Sequence, residues 1–142
     1  MFPVDRTQTL VMTTLGERFA RALAAKDAAE VRAVTTQDLD FRAMTPGRFW
    51  EAHSHDDLLE VLFANWLEPS DEVVALLGTS TGEVSTRQHV AYRLHLRNAD
   101  GDSLMEQQMY YNVVGDRISW ARVMCSGFVP LQHGDLEEPR SS

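Results

Sequence analysis

Cysteine is nearly absent: Cys125 is the sole thiol among 142 residues. An intrachain disulfide is therefore excluded, and a reducing, cytoplasmic setting is expected. No apolar run reaches the ~20 residues of a membrane span. The opening MFPVDRTQTL lacks the apolar core of a signal peptide. Basic charge is scarce too. Thirteen Lys and Arg stand against 21 Asp and Glu, a formal net charge of −8. Nucleic acid and anionic membranes both recruit basic surfaces, so neither is an expected partner. No phosphate-cradling glycine loop, nucleophile elbow or dinucleotide fingerprint is present, and no cofactor is expected. What is there reads as one domain over residues 1–133 with a single core, followed by a polar tail, 134–142, expected to fray.

The most legible stretch runs from Arg87 to Phe128. Three strands are expected: Arg87 to Arg97, Ser103 to Val114 and Arg117 to Phe128. The turns between them carry Asp100-Gly101 and Gly115-Asp116, dipeptides that supply positive φ in tight hairpins. Counting outward from each turn puts one set of side chains on a common inner face. That set is Val90, Tyr92, Leu94 and Leu96, then Met105, Gln107, Met109, Tyr111 and Val113, then Ile118, Trp120, Arg122 and Met124. His89, Arg93, His95, Glu106, Gln108, Tyr110 and Asn112 fall on the outer face, and Cys125 points outward opposite Glu106. Arg122 and Gln107 are the polar exceptions inside. A guanidinium buried there needs a carboxylate partner or a wet pocket.

Upstream, Val11, Leu15, Phe19, Ala22 and Leu23 recur at helical spacing, predicting a helix over Thr9 to Ala25. Asp27 and Glu30 form a capping-box pattern that opens a second helix to about Val34. Asp38 to Met44 reads as a strand, with Leu39, Phe41 and Ala43 on one side and Asp40, Arg42 and Met44 on the other. Thr45-Pro46-Gly47 is a turn. Arg48 to His53 fits a short strand or a helical turn. Ser54 and Asp57 cap a third helix, His55 to about Leu67, stopped by Pro69. Glu72 to Thr79 is a strand apolar on both sides, expected to be covered on both. The order predicts an α+β fold, a curved, mainly antiparallel sheet packed against three helices as a cone, with a ligand pocket at the cone mouth.

Three segments carry a family resemblance: FARALAAKDAAEVRAV, LDFRAMTPGRFWE and EQQMYYNVVGDRISWARVMCSGFVP. The chain resembles the nuclear-transport-factor-2-like superfamily, which includes ketosteroid isomerases, SnoaL-like polyketide cyclases, limonene epoxide hydrolase and scytalone dehydratase. Gly115 to Ile118 looks like the family's Asp-Gly-Arg-Ile turn with its first two letters reversed. The resemblance covers residues 8 to 130. It implies the cone fold and admits isomerases, dehydratases, hydrolases, cyclases and proteins that only bind or dimerise. No paired Tyr and Asp of the ketosteroid-isomerase kind aligns, and Asp40 with Arg122 is a fragment of the hydrolase's Asp-Arg-Asp set.

The expected chemistry is cofactor-independent proton transfer on an apolar small molecule. Asp40 or His53 would act as acid or base, and Arg122 with Tyr92 would stabilise developing negative charge. Gln107, Trp50, Trp66, Met109, Tyr111, Trp120 and Met124 would line the pocket. Against this stand plainer roles: an Arg122–Asp40 ion pair of purely structural use, and tyrosines and tryptophans that simply pack. His53 and His55 with Asp56 and Asp57 do not match metal-ligand spacing, so no metal is expected. The outer sheet face is expected to support a homodimer.

Overall fold

A computed structural model describes residues 13–131. The tail and the first residues of the expected opening helix lie outside them. Helix α1 spans Leu15–Ala25. Thr14 caps it: its hydroxyl accepts the Glu17 N–H at 3.1 Å, and Glu17 accepts the Thr14 N–H at 3.1 Å. Lys26, at φ 53°, ends the helix in the left-handed region. Its ammonium group donates to the main-chain carbonyls of Glu68 and Asp71. Helix α2 spans Ala28–Val34 behind an Asp27 cap. An Arg18–Glu30 ion pair at 2.9 Å ties the two helices together. Helix α3, His55–Glu60, is capped by Ser54 and continues as a π-helical stretch, Val61–Trp66. Along its length it buries Leu58, Leu62 and Trp66, and Leu67 just past its end is buried too.

The strands are β1 (Thr35–Thr45), β2 (Arg48–Ala52), β3 (Glu72–Val84), β4 (Arg87–Asn98), β5 (Gly101–Val114), β6 (Arg117–Cys125) and β7 (Val129–Pro130). They form one sheet in the order β2-β1-β6-β5-β4-β3, with β7 extending the edge of β5 beyond β6. Every pairing is antiparallel except β1 with β6. Arg48 to His53, open between two readings, is mostly strand. β1 starts at Thr35, three residues earlier than expected, because Thr35 Oγ1 donates back to Val31 O at 2.7 Å and turns the chain straight from helix to sheet. The helices cover one face, giving the expected α+β cone, unclosed at its edges.

Two register details decide what the cone contains. In the β4–β5 hairpin the loop is Ala99-Asp100, and Asn98 pairs with Gly101. Asn98 Oδ1 accepts the Asp100 N–H at 2.8 Å, an Asx turn that closes the loop one residue before the expected Asp-Gly site. Partners therefore shift by two: Tyr92 faces Gln107 and Val90 faces Met109. A shift of two leaves each residue on its expected face.

The β5–β6 hairpin differs. Val114 pairs with Arg117 and Val113 with Ile118 as expected, but Asn112 then pairs with Trp120. Ser119 is an extra residue, a β-bulge, and beyond it every side chain of β6 changes face. Ala121, Val123 and Cys125 enter the core opposite Tyr111, Met109 and Gln107. Trp120, Arg122 and Met124 lie on the outer face, contrary to expectation, and Cys125 is buried rather than outward. The reason is energetic. The unbulged register would bury a guanidinium, costing roughly several kcal/mol. It would also set Trp120 against Tyr111 in the narrow interior, where Ala121 fits.

β3 corrects another expectation. It is the edge strand, with Val74 and Leu77 exposed, and is not covered on both sides. The two β4 histidines each hold a polar side chain of β5. His89 Nε2 meets Gln108 Oε1 at 2.9 Å, and His95 Nε2 donates to Asp102 at 2.7 Å. Arg97 Nε reaches the same carboxylate at 3.0 Å. Arg97 first, then His95, holds the Asp102 carboxyl down to about 2.

Inside, Tyr111 locks α1 to the sheet. Its hydroxyl accepts the Gly16 N–H at 2.9 Å and donates to Gln88 Oε1 at 3.1 Å. A Cβ on Gly16 would sit 2.8 Å from the Tyr111 ring and from Val90 Cβ. Gly16→Ala should therefore cost about 1–3 kcal/mol by overpacking. Urea denaturation checks this, and an unchanged midpoint would show that α1 does not seat on the sheet this way.

Candidate functional site

The residues expected to form one site are divided between three places. Asp40, Arg122, His53, Trp120 and Met124 share the outer sheet face. Arg122 Nη1 donates to Asp40 Oδ1 at 3.3 Å and to Asp40 O at 3.0 Å, and Nη2 donates to Oδ2 at 3.3 Å. Its guanidinium lies over the Trp120 ring, 4.3 Å from the centroid, and Arg87 approaches the same ring at 4.1 Å. Arg42 Nε stands 3.6 Å from both Asp40 and Glu51, and His53 is 3.8 Å from Glu51. Arg122 before all else holds the Asp40 carboxyl below its usual range. This is a partly exposed ion-pair cluster on the side of the sheet away from the helices. Asp40, expected as acid or base of the pocket, and Arg122, expected on the inner face, both lie outside the cone.

Tyr92, Gln107, Met109 and Tyr111 are inside, as expected, and buried; Tyr92 and Gln107 also border a second cavity of ≈ 450 Å³ beside β3. Tyr92 donates to Gln107 Oε1 at 2.5 Å. Burial pushes the Tyr92 phenol far up and that of Tyr111 up as well, so both stay neutral donors. Among the described residues, the amide nitrogen of Gln107 has only Met105 Sδ, 4.0 Å away.

Trp50 and Trp66 stand at the third place, the cone mouth. A cavity of ≈ 670 Å³ opens there between the end of the π-helical stretch, the β1–β2 turn, the β4–β5 turn and the segment after β6. The two indoles meet edge to face, 6.3 Å apart at 88°. Trp50 Nε1 donates to Thr45 Oγ1 at 2.8 Å. Trp66, 6% exposed, also packs on Phe41, and its buried indole N–H has no partner among the described residues. Met105, Cys125 and Phe128 add apolar wall. Asp71 is buried and fixed: Oδ1 accepts from Asn98 at 2.9 Å and Oδ2 from the Glu68 N–H at 3.0 Å.

The mouth residues Glu68, Asp71, Asn98, Asp100 and Phe128 were missed from sequence. They sit on three connections far apart in the chain, and only the sheet order brings them together. Glu68-Pro69-Ser70-Asp71 was legible as a helix stop, not as a wall. Among the described residues no group of three or more metal-ligating side chains forms, and no helix is long and apolar enough to cross a membrane.

No family model and no curated protein matches this sequence. Solved structures do. A candidate isomerase from Rhodopseudomonas palustris superposes with a TM-score of 0.65 at 15% identity, over 82% of this chain and 93% of that one. An LEH-like epoxide hydrolase from M. tuberculosis gives 0.58 at 15% identity, over 79% and 80%. A candidate SnoaL-like polyketide cyclase from Mesorhizobium loti gives 0.57 at 14%, over 77% and 94%. The chain has the fold shared by SnoaL-like, ketosteroid-isomerase-like and nuclear-transport-factor-2-like proteins. At these identities the likeness establishes architecture and leaves the reaction open.

A test follows from the outer-face cluster. Asp40 has a lowered folded-state pKa, so its pairing with Arg122 supplies stability above pH ~4 that is lost as pH falls through the folded value. Both side chains are about a third exposed, so Arg122→Ala should cost no more than about 1 kcal/mol. The difference between variant and parent should shrink at acid pH. Urea midpoints measured from pH 7 down to pH 3 check it, and collapse of the variant at pH 7 would mean the guanidinium is buried after all.

Proposed function

We propose that this chain binds an apolar small molecule in the cavity at the cone mouth. One observation carries the reading: a ≈ 670 Å³ space walled by two edge-to-face tryptophans together with Met105, Cys125 and Phe128. Apolar walls with few polar groups are what small-molecule sites offer.

The non-catalytic binding role is the reading we favour over cofactor-independent acid–base chemistry. Asp40, Arg122 and His53 lie across the sheet from the cavity, and the Tyr92 hydroxyl is already committed to Gln107. Neither arrangement leaves a base beside an oxyanion donor. One observation favours the enzymatic alternative, the buried Asp71 carboxylate at the cavity wall. The isomerase and epoxide-hydrolase neighbours lend that alternative its reaction classes.

Calorimetric titration with a monocyclic terpene epoxide and with a polycyclic enone, followed by product analysis, separates the readings. Binding without turnover is expected, weakened at least about tenfold in Trp66→Leu through lost aromatic contact. Product formation abolished by Asp71→Asn would establish the enzyme instead.

We also propose a homodimer through the outer sheet face. Phe49, Met44 and Met124 are cross-strand neighbours there and all exposed. Arg42, Arg93 and Arg122 interleave with Asp40, Glu51 and Glu106 around them. Equal numbers of opposite charges let a two-fold copy meet this face without net repulsion. Light scattering should give twice the chain mass, and Met44→Asp should halve it; a monomeric parent at micromolar concentration would refute the interface.

A further inference from the structure

The outer sheet face has a relief as well as a charge pattern. Cross-strand partners at one level of the sheet form a row from β2 to β3: Phe49, Met44, Met124, Gln108, Ala91 and Ser80. Directly paired residues project to the same side of a sheet, here the side away from the helices. The two halves of the row differ in height. Phe49, Met44 and Met124 are long and all exposed, a ridge over β2, β1 and β6. Ala91 and Ser80 are short, and Gly78, near them on β3, has no side chain at all.

A cavity of ≈ 450 Å³ lies over that low half, with Leu77, Ser80, Ala91 and Gln108 in its walls and Met124 at its border. Arg93 and Glu106, paired at 3.5 Å, also line it. Ridge and hollow therefore stand side by side on one face, with Met124 where they meet. A two-fold axis along the strands, between β6 and β5, exchanges the two halves. It lays Met44 of one copy over the partner's Ala91, and Phe49 over the partner's Ser80. The next row divides the same way, with Arg42 and Arg122 in one half and Tyr110 and His89 in the other. The same axis brings the two guanidiniums against the partner's paired rings, which stand 4.7 Å apart. A small molecule in the hollow would leave the ridge in water, whereas a second copy buries both with one set of residues.

We propose that two copies associate ridge into hollow, Met44 and Phe49 of each filling the ≈ 450 Å³ cavity of the other. This rests on the reading of the outer face as a homodimer surface, and fixes how the two faces meet.

A double-mutant cycle on the dimer dissociation constant, read by sedimentation velocity, tests it. Met44→Ala lowers the ridge and Ala91→Met fills the hollow. Each alone should weaken the dimer at least about tenfold. Together they exchange a large and a small residue across the interface, and the double variant should recover most of the loss. Within one chain the two positions lie three strand spacings apart, about 14 Å, too far to couple directly. Recovery would therefore report a contact between copies. Phe49→Ala, at an exposed position, should also weaken the dimer about tenfold with an unchanged circular-dichroism spectrum. Losses that simply add in the double variant, or a Phe49→Ala dimer as tight as the parent, would overturn this packing and leave the dimer standing. A parent that is monomeric at micromolar concentration would remove the dimer reading itself.

Discussion

A single extra residue in β6 decides which side chains meet the core. Ser119 has no partner of its own in β5, and the strand beyond it is turned over. The parallel partner β1 breaks register at the same level, between Thr35 and Asp40, so both neighbours of β6 accept the offset together. The alternative, a regular ladder, would put a guanidinium and a second large aromatic into a cone already holding Tyr92, Tyr111 and Phe41. Close-packed interiors do not admit that volume, and the charge would lose its water. Burial of Ala121, Val123 and Cys125 opposite the large residues of β5 solves both problems.

The position of any site follows from this. Small residues from β6 face large ones from β5, and Tyr92 and Tyr111 spend their hydroxyls on Gln107 and Gln88. Free volume is left at the mouth, where strand ends and turns replace packed sheet. The displaced residues are not idle: Arg122 stacks on Trp120 and pairs with Asp40, giving the outer face a charged cluster beside exposed methionines. One bulge thereby separates a binding region at the rim from an association surface on the sheet.

Much of the fold was legible. Thr14, Asp27 and Ser54 cap their helices because short polar side chains satisfy free N–H groups. The faces of β4 and β5 could be read despite a wrong turn, since a shift of two preserves the period. β6 could not be read from alternation alone. Trp120, Arg122 and Met124 alternate with Ala121, Val123 and Cys125, and both sets are mainly apolar. Arg122 holds the clue, because the cost of enclosing a guanidinium bears on register before it bears on function. The site was less legible than the fold. Trp50 and Trp66 were named, but Asp71 and Asp100 come from turns whose meeting is a property of strand order, not of local sequence.

The face assignment of β6 can be measured directly by placing a carboxylate at two adjacent positions. Val123 is 5% exposed and Met124 58%. Chemical denaturation of Val123→Asp should show a loss of about 3 kcal/mol or more, from an unpaired buried charge. Met124→Asp, compared at concentrations low enough to keep the chains apart, should stay within about 0.5 kcal/mol of the parent. The reverse order, with Met124→Asp unfolding the chain and Val123→Asp tolerated, would contradict the bulge and put Arg122 back inside the cone.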